Sequence, residues 1–143
     1  MAEAEMVNVL HDFAKSIEKS DIEKALSYLT DDAVWTTPNG TSKGKDELKR
    51  LLSSESMRGV ATTETGNGIM VQGNKAFFEH ILEATYQGRK AKWWAMCAYE
   101  FNGNKIQHIR TAFDRLSLAQ QVTSGLPRMI VNQVIKQSEK MAQ

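Results

Sequence analysis

The sequence predicts an α+β fold: a curved antiparallel sheet wrapped around N-terminal helices, with an extra helix at the C-terminus. Two observations carry this. The first thirty residues place apolar side chains at helical spacing, and from residue 60 onward the period drops to two, punctuated by short turns. Consecutive strands joined by such turns run antiparallel. Helices must then cover one face of the sheet, because otherwise a broad apolar face meets water. A curved sheet with helices against one side makes a cone with a cavity at its open end. The 143 residues, 41% hydrophobic and 24% charged, suit a single domain spanning 1–143.

Met6, Val9, Leu10, Phe13 and Ile17 mark the first helix, with Glu3 and Glu5 at the positive end of its dipole. Ser20 followed by Glu23 matches a capping box for a second, short helix, whose apolar side is Ile22, Ala25, Leu26 and Leu29. The two helices read as a continuous amphipathic stretch with at most a kink, ended by Thr30, Asp31 and Asp32. Residues 33–37 are a strand, stopped by the turn Pro38-Asn39-Gly40. Residues 42–54 form a third helix with Leu48, Leu51 and Leu52 inward. Residues 60–65 are β-branched and polar, and 69–71 apolar. Three long strands follow at 76–86, 92–101 and 105–113, separated by turns at Gly73, Gly88 and Gly103. Asp114 caps a helix over 116–122, and Pro127 opens a last one over 129–141. That terminal segment, 127–143, carries Met129, Ile130, Val134 and Ile135, and suits either bracing a partner subunit or covering a pocket mouth.

Composition excludes several classes. Eighteen Lys and Arg against seventeen Asp and Glu leave a formal charge of +1, without the basic excess of a nucleic-acid binder. The single cysteine, Cys97, excludes an internal disulfide and a cysteine-cluster metal site. The three histidines are too scattered for a metal motif, so neither metal nor cofactor is expected. No apolar run approaches a membrane span, and the N-terminus lacks a signal-peptide core, so a cytoplasmic protein is expected. Charge is uneven: residues 1–32 hold eight acids and three bases, and residues 104–143 six bases and two acids. Solvated helix faces explain this, as would orientation of one subunit on another. Gly66-Asn67-Gly68 resembles a phosphate loop superficially, but no helix follows it.

The last two strands can be placed in register from the Gly103-Asn104 turn. Phe101 then faces Ile106, Ala98 faces Ile109, and Met96 faces Thr111. One face carries Trp94, Met96, Ala98, Ile109, Thr111 and Phe113. The other carries Trp93, Ala95, Cys97, Tyr99, Phe101, Ile106, His108 and Arg110. Both are rich in large apolar groups, and the chain's own helices can hide only one. A homodimer through the second face is therefore expected, with Trp93, Tyr99, Phe101, His108 and Arg110 at the interface and Glu79 or Glu83 pairing Arg110. In the preceding strand Phe78, His80, Leu82, Ala84 and Tyr86 share the more apolar face. Burial there lowers the pKa of His80, which is either a core histidine satisfied by a hydroxyl or carbonyl, or a pocket base.

The segments LTDDAVW (29–35), PNGTSKG (38–44) and IRTAFD (109–114), with the meander between them, resemble the SnoaL-like branch of the NTF2-like superfamily over residues 5–122. At the level of fold the chain is also similar to ketosteroid isomerases and limonene-epoxide hydrolases. The resemblance implies an NTF2-like cone, usually dimeric, with an internal pocket. It also implies positions for catalytic acids. The isomerase base falls on Thr37, and the last-strand carboxylate of the hydrolases on Thr111. Their earlier Arg and Asp fall on His80 and Leu82, or on Leu82 and Ala84. Neither acid set is present.

The candidate pocket is thus Tyr28, Trp35, Asn39, Phe78, Leu82, Trp94, Met96 and Phe113, with His80 as general base and Thr111, or a tyrosine hydroxyl, polarising a ligand carbonyl. Asp31 and Asp32 are acids within reach of the rim. Such a lining suits an uncharged or weakly polar small molecule. Three functions fit: a lyase, isomerase or cyclase working by acid–base chemistry on a carbonyl substrate, a binding-only protein, or a dimeric scaffold whose cavity is filled core.

Overall fold

The computed structural model describes residues 1–143, the side chain of Asn67 excepted. The order is α1 (Glu3–Glu18), α2 (Ile22–Ser27), β1 (Leu29–Thr37), β2 (Gly40–Lys43), α3 (Gly44–Leu52), β3 (Ala61–Gln72), β4 (Lys75–Tyr86), β5 (Arg89–Asn102), β6 (Lys105–Ala112), α4 (Arg115–Val122) and α5 (Gly125–Met141). The six strands form one sheet in the order β2-β1-β6-β5-β4-β3. Most neighbours are antiparallel, but β1 runs parallel to β6, with Trp35 opposite Ile109. The sheet is therefore mixed, not antiparallel throughout as expected. The β1–β6 pairing joins segments about seventy-five residues apart, and no turn signal announces it.

The first two helices are separated by a true break. Ser20 has a left-handed φ of +56°, and Asp21, not Ser20, caps α2 by accepting the Lys24 N–H at 3.1 Å. Leu10 and Phe13 of α1, Leu26 of α2 and Leu48 of α3 are buried together against Leu29, Phe78, Ile106 and Ile109 of the sheet. Asp114 caps α4 as expected, accepting from the Leu116 and Ser117 N–H groups at 2.9 and 3.1 Å.

Helix α4 also closes an open edge. β6 pairs with β5 only as far as Met96, so the start of β5 projects beyond it. There the Gln121 side-chain amide accepts from the Lys92 N–H at 2.8 Å and donates to the Lys92 C=O at 2.9 Å. The side chain stands in for the missing strand. Helix α5 packs on α4, tied by Gln120 Nε2 donating to Asn132 Oδ1 at 3.0 Å, and buries none of its residues.

Two register shifts matter for the interior. In β3 the pairing with β4 slips between Glu64 and Ile69, where Gly66 adopts a φ of +58° and the Glu79 carboxylate fills the space a Cβ would need. In β6 the slip is one residue. Phe101 is opposite Ile106 but Glu100 is opposite His108, so Gln107 is the extra residue of a β-bulge.

Candidate functional site

That bulge corrects the expected faces. Past Gln107 every side chain of β6 changes side relative to β5, since strand side chains alternate with period two. The inner face of β5 and β6 therefore carries Trp93, Ala95, Cys97, Tyr99 and Phe101 together with Ile106 and Ile109, all buried. Thr111 lies directly opposite Cys97 on this face. The outer face carries Trp94, 63% exposed, and Met96, 44% exposed, in line with Ala98 and Glu100. Trp94 and Met96 are thus outside the pocket expected for them, and Trp93, Tyr99 and Phe101 are inside rather than at a dimer face.

Between the helices and this inner face lies a cavity of about 180 Å³. Of the expected site residues, Trp35, Asn39, His80, Leu82, Thr111 and Phe113 line it. Phe78 lies in the core beneath His80, the two rings stacked with centroids 4.3 Å apart. Tyr28 packs at the edge of that core, its ring 6.5 Å from Phe13, and does not line the cavity. Asp31 and Asp32 stand exposed on β1. His108 and Arg110 are on the outer face, where both meet Glu100 rather than Glu79 or Glu83, the His108 Nδ1 at 3.4 Å. The pull of Arg110 holds the Glu100 carboxyl below its usual range.

The sequence reading missed four lining residues of chemical interest: Cys97, Tyr99, Trp93 and Tyr86. A signal was available. Ile106 and Ile109 are both fully buried although three residues apart, a spacing that strict alternation forbids and a bulge permits.

Four neighbouring strands present one row of polar atoms across the cavity wall. Trp35 Nε1 donates to Thr111 Oγ1 at 2.9 Å; Thr111 Oγ1 lies 3.2 Å from Cys97 Sγ; Cys97 Sγ lies 3.3 Å from His80 Nε2. An indole N–H can only donate, which fixes the first link. The direction of the next two links follows the His80 tautomer: with the proton on Nδ1, Thr111 donates to the thiol and the thiol to Nε2, and the Nδ1 hydrogen has no acceptor. With the proton on Nε2 instead, the imidazole donates to the thiol and the thiol to Thr111, and the threonine hydrogen is the one left over. His80 Nδ1 is buried and has no partner among the described residues.

Burial sets the protonation of the row. His80, 5% exposed, has its pKa lowered to about 4 by desolvation. Burial raises the Cys97 thiol, opposed by hydrogen bonds from Thr111 and Tyr99, and holds the Tyr99 phenol well above its usual value. All three groups are neutral at pH 7. Among the described residues no carboxylate lines the cavity, and no group of three or more His, Cys, Asp or Glu is placed to hold a metal. Among the same residues no helix is long and apolar enough to cross a membrane.

Helices over one face of a six-stranded mixed sheet, with a cavity between the layers, define an NTF2-like protein. The SnoaL-like domain profile matches residues 10–109, and the chain belongs to that family. Solved structures agree on the fold. An NTF2-like protein of unknown function from Burkholderia pseudomallei, 18% identical, superposes with a TM-score of 0.73 over 87% of this chain and 100% of its own. An epoxide hydrolase from M. tuberculosis, similar to limonene-epoxide hydrolase, is 19% identical with a TM-score of 0.70, covering 90% of this chain and 97% of its own. A Catenulispora acidiphila protein with a ketosteroid isomerase-like fold, solved with trimethylamine, is 12% identical with a TM-score of 0.72 over 80% and 91%. No curated protein matches the sequence.

The buried histidine makes stability depend on pH. His80 titrates at 6.5 when unfolded and near about 4 when folded. Between those values the unfolded chain holds a proton that the folded chain lacks, so stability falls as pH falls. At about 1.4 kcal/mol per pH unit the loss reaches about 3 kcal/mol. Urea unfolding at pH 7 and pH 4.5 should show this loss in the wild type and a smaller one in His80→Gln. Equal losses in both proteins would contradict the assignment.

Proposed function

We propose that the chain binds an uncharged, largely apolar small molecule in the cavity between its helices and its sheet. The observation that carries this is the lining: an apolar wall of Phe13, Ile17, Trp35, Val60, Leu82, Trp93 and Phe113, whose polar members are the row from Trp35 to His80 and the uncharged Thr37, Asn39, Ser56, Thr62, Tyr86 and Tyr99. A charged ligand would leave an unpaired ion in low dielectric, at a cost of several kcal/mol. Size narrows the class. Drug-sized ligands occupy roughly 300–1,000 Å³, and about 180 Å³ suits a single ring with a short substituent. An epoxide hydrolase and a trimethylamine-bound protein share the fold, which supports a small-molecule role.

Binding without turnover is the reading favoured here. Acid–base chemistry on a carbonyl needs a base poised near the working pH, and a histidine held near about 4 is a weak one. Its Nε2 is also engaged by the Cys97 thiol at 3.3 Å.

Saturation-transfer NMR with toluene as probe tests the binding site. The wild type should give ring-proton transfer, and Val60→Phe, which fills the cavity from a buried lining position, should weaken binding at least about tenfold. Absence of transfer to the wild type would overturn the proposal.

The outer face of the sheet supports a homodimer with a different composition from the one expected. Cross-strand pairing puts Trp94 beside Ile81, Met96 beside Glu79, Ala98 beside Phe77 and Phe77 beside Met70. This contiguous patch, with Trp94, Met96 and Met70 (47%) exposed, is edged by the Glu100–Arg110–His108 cluster. Two copies meeting face to face would bury it. Sedimentation at ten-micromolar order should give a dimer for the wild type and a monomer for Trp94→Glu. A monomeric wild type would sink this interface.

A further inference from the structure

We propose that the ligand carries a hydroxyl group on an apolar ring, as a simple phenol does, and that the Thr111 hydroxyl binds it. The inference rests on the reading of the cavity as a ligand site and names the chemistry which that site selects.

A threonine hydroxyl donates one hydrogen bond and accepts two. With the bond to Cβ, its oxygen therefore has four directions, arranged tetrahedrally. β6 lies between β1 and β5 in the sheet. The Trp35 indole accordingly reaches Thr111 Oγ1 from one flank at 2.9 Å, and the Cys97 thiol from the other at 3.2 Å. The fourth direction has no partner among the described residues and points off the sheet, on the side where Thr111 lines the cavity. Burial agrees with this. Trp35, Cys97 and His80 are buried, whereas Thr111 is half-buried, and an inner-face residue has only the cavity to open to.

What the fourth direction offers changes with the His80 tautomer, but the ligand group that fits it does not. With the His80 proton on Nδ1, Thr111 gives its hydrogen to the thiol and keeps a spare lone pair. With the proton on Nε2, both lone pairs are taken, by the indole and the thiol, and the threonine hydrogen is free. A carbonyl meets only the second case, and a group that can only donate meets only the first. A hydroxyl both donates and accepts, so it meets either. A hydrocarbon of the same shape meets neither and leaves the position empty.

Phenol and toluene test this, because they have nearly the same shape and differ in presenting O–H or CH₃. Thr111→Val, which replaces the hydroxyl by a methyl group, should weaken phenol binding about tenfold and should not weaken toluene. Thr111→Ser keeps the hydroxyl and should hold phenol within about threefold of the wild type. A second readout needs no variant: the ortho protons of bound phenol should show nuclear Overhauser contacts to the Thr111 methyl group in the wild type. Unchanged phenol affinity in Thr111→Val, an equal loss of both probes there, or absence of those contacts would overturn the Thr111 assignment. So would binding of toluene without phenol, and in each of these cases the cavity stays a binding site. Failure of both probes to bind the wild type would overturn the assignment and the proposed function together.

Discussion

Gln107 is the residue at which β6 slips by one against β5, and the chemistry of the interior follows from that slip. Without it, Ile106 and Ile109 would face opposite sides of the sheet, and one large aliphatic side chain would be lost from the core. With it, both are buried, and the next inward position after Ile109 is Thr111. Arg110 is correspondingly turned outward to Glu100. An unbulged strand would send the guanidinium into the cavity, and a buried cation without a partner would not be tolerated. One extra residue therefore decides that the cavity wall is neutral.

The polar row is the second consequence. Thr111 reaches the Trp35 indole from β1 and the Cys97 thiol from β5 only because the bulge places it between them. Each atom of the row lies among aromatic and aliphatic side chains, where an unpaired polar group costs about 1–3 kcal/mol. Linked in a chain, the row ties a hydroxyl, a thiol and an imidazole together and leaves one of its atoms, His80 Nδ1, without a partner among the described residues. The same burial that keeps His80 neutral deprives it of base strength, so the site is better suited to recognition than to proton abstraction.

Much of the architecture was legible in the sequence. The turns at Gly73, Gly88 and Gly103 delimit the meander, and Asp114 announces α4. The inner face was not read correctly, for a physical reason. Both alternating sets of β5 are apolar, Trp93-Ala95-Cys97-Tyr99-Phe101 and Trp94-Met96-Ala98, so hydrophobicity alone does not choose between them. Charge does. Lys90, Lys92 and Glu100 share the parity of Trp94, and charged groups mark the face that meets water. The parallel β1–β6 pairing and the Gln107 slip are long-range outcomes of packing, written in no local motif beyond the odd spacing of Ile106 and Ile109. His80 and Thr111 were identified as candidates, whereas their link through Cys97 needed the corrected face.

The most direct test of this account is the state of the His80 ring in the folded, ligand-free protein, read from its imidazole ¹⁵N chemical shifts near pH 6. The expected result is a neutral ring, because burial lowers the His80 pKa to about 4. A protonated imidazolium would contradict the neutral row on which the account is built.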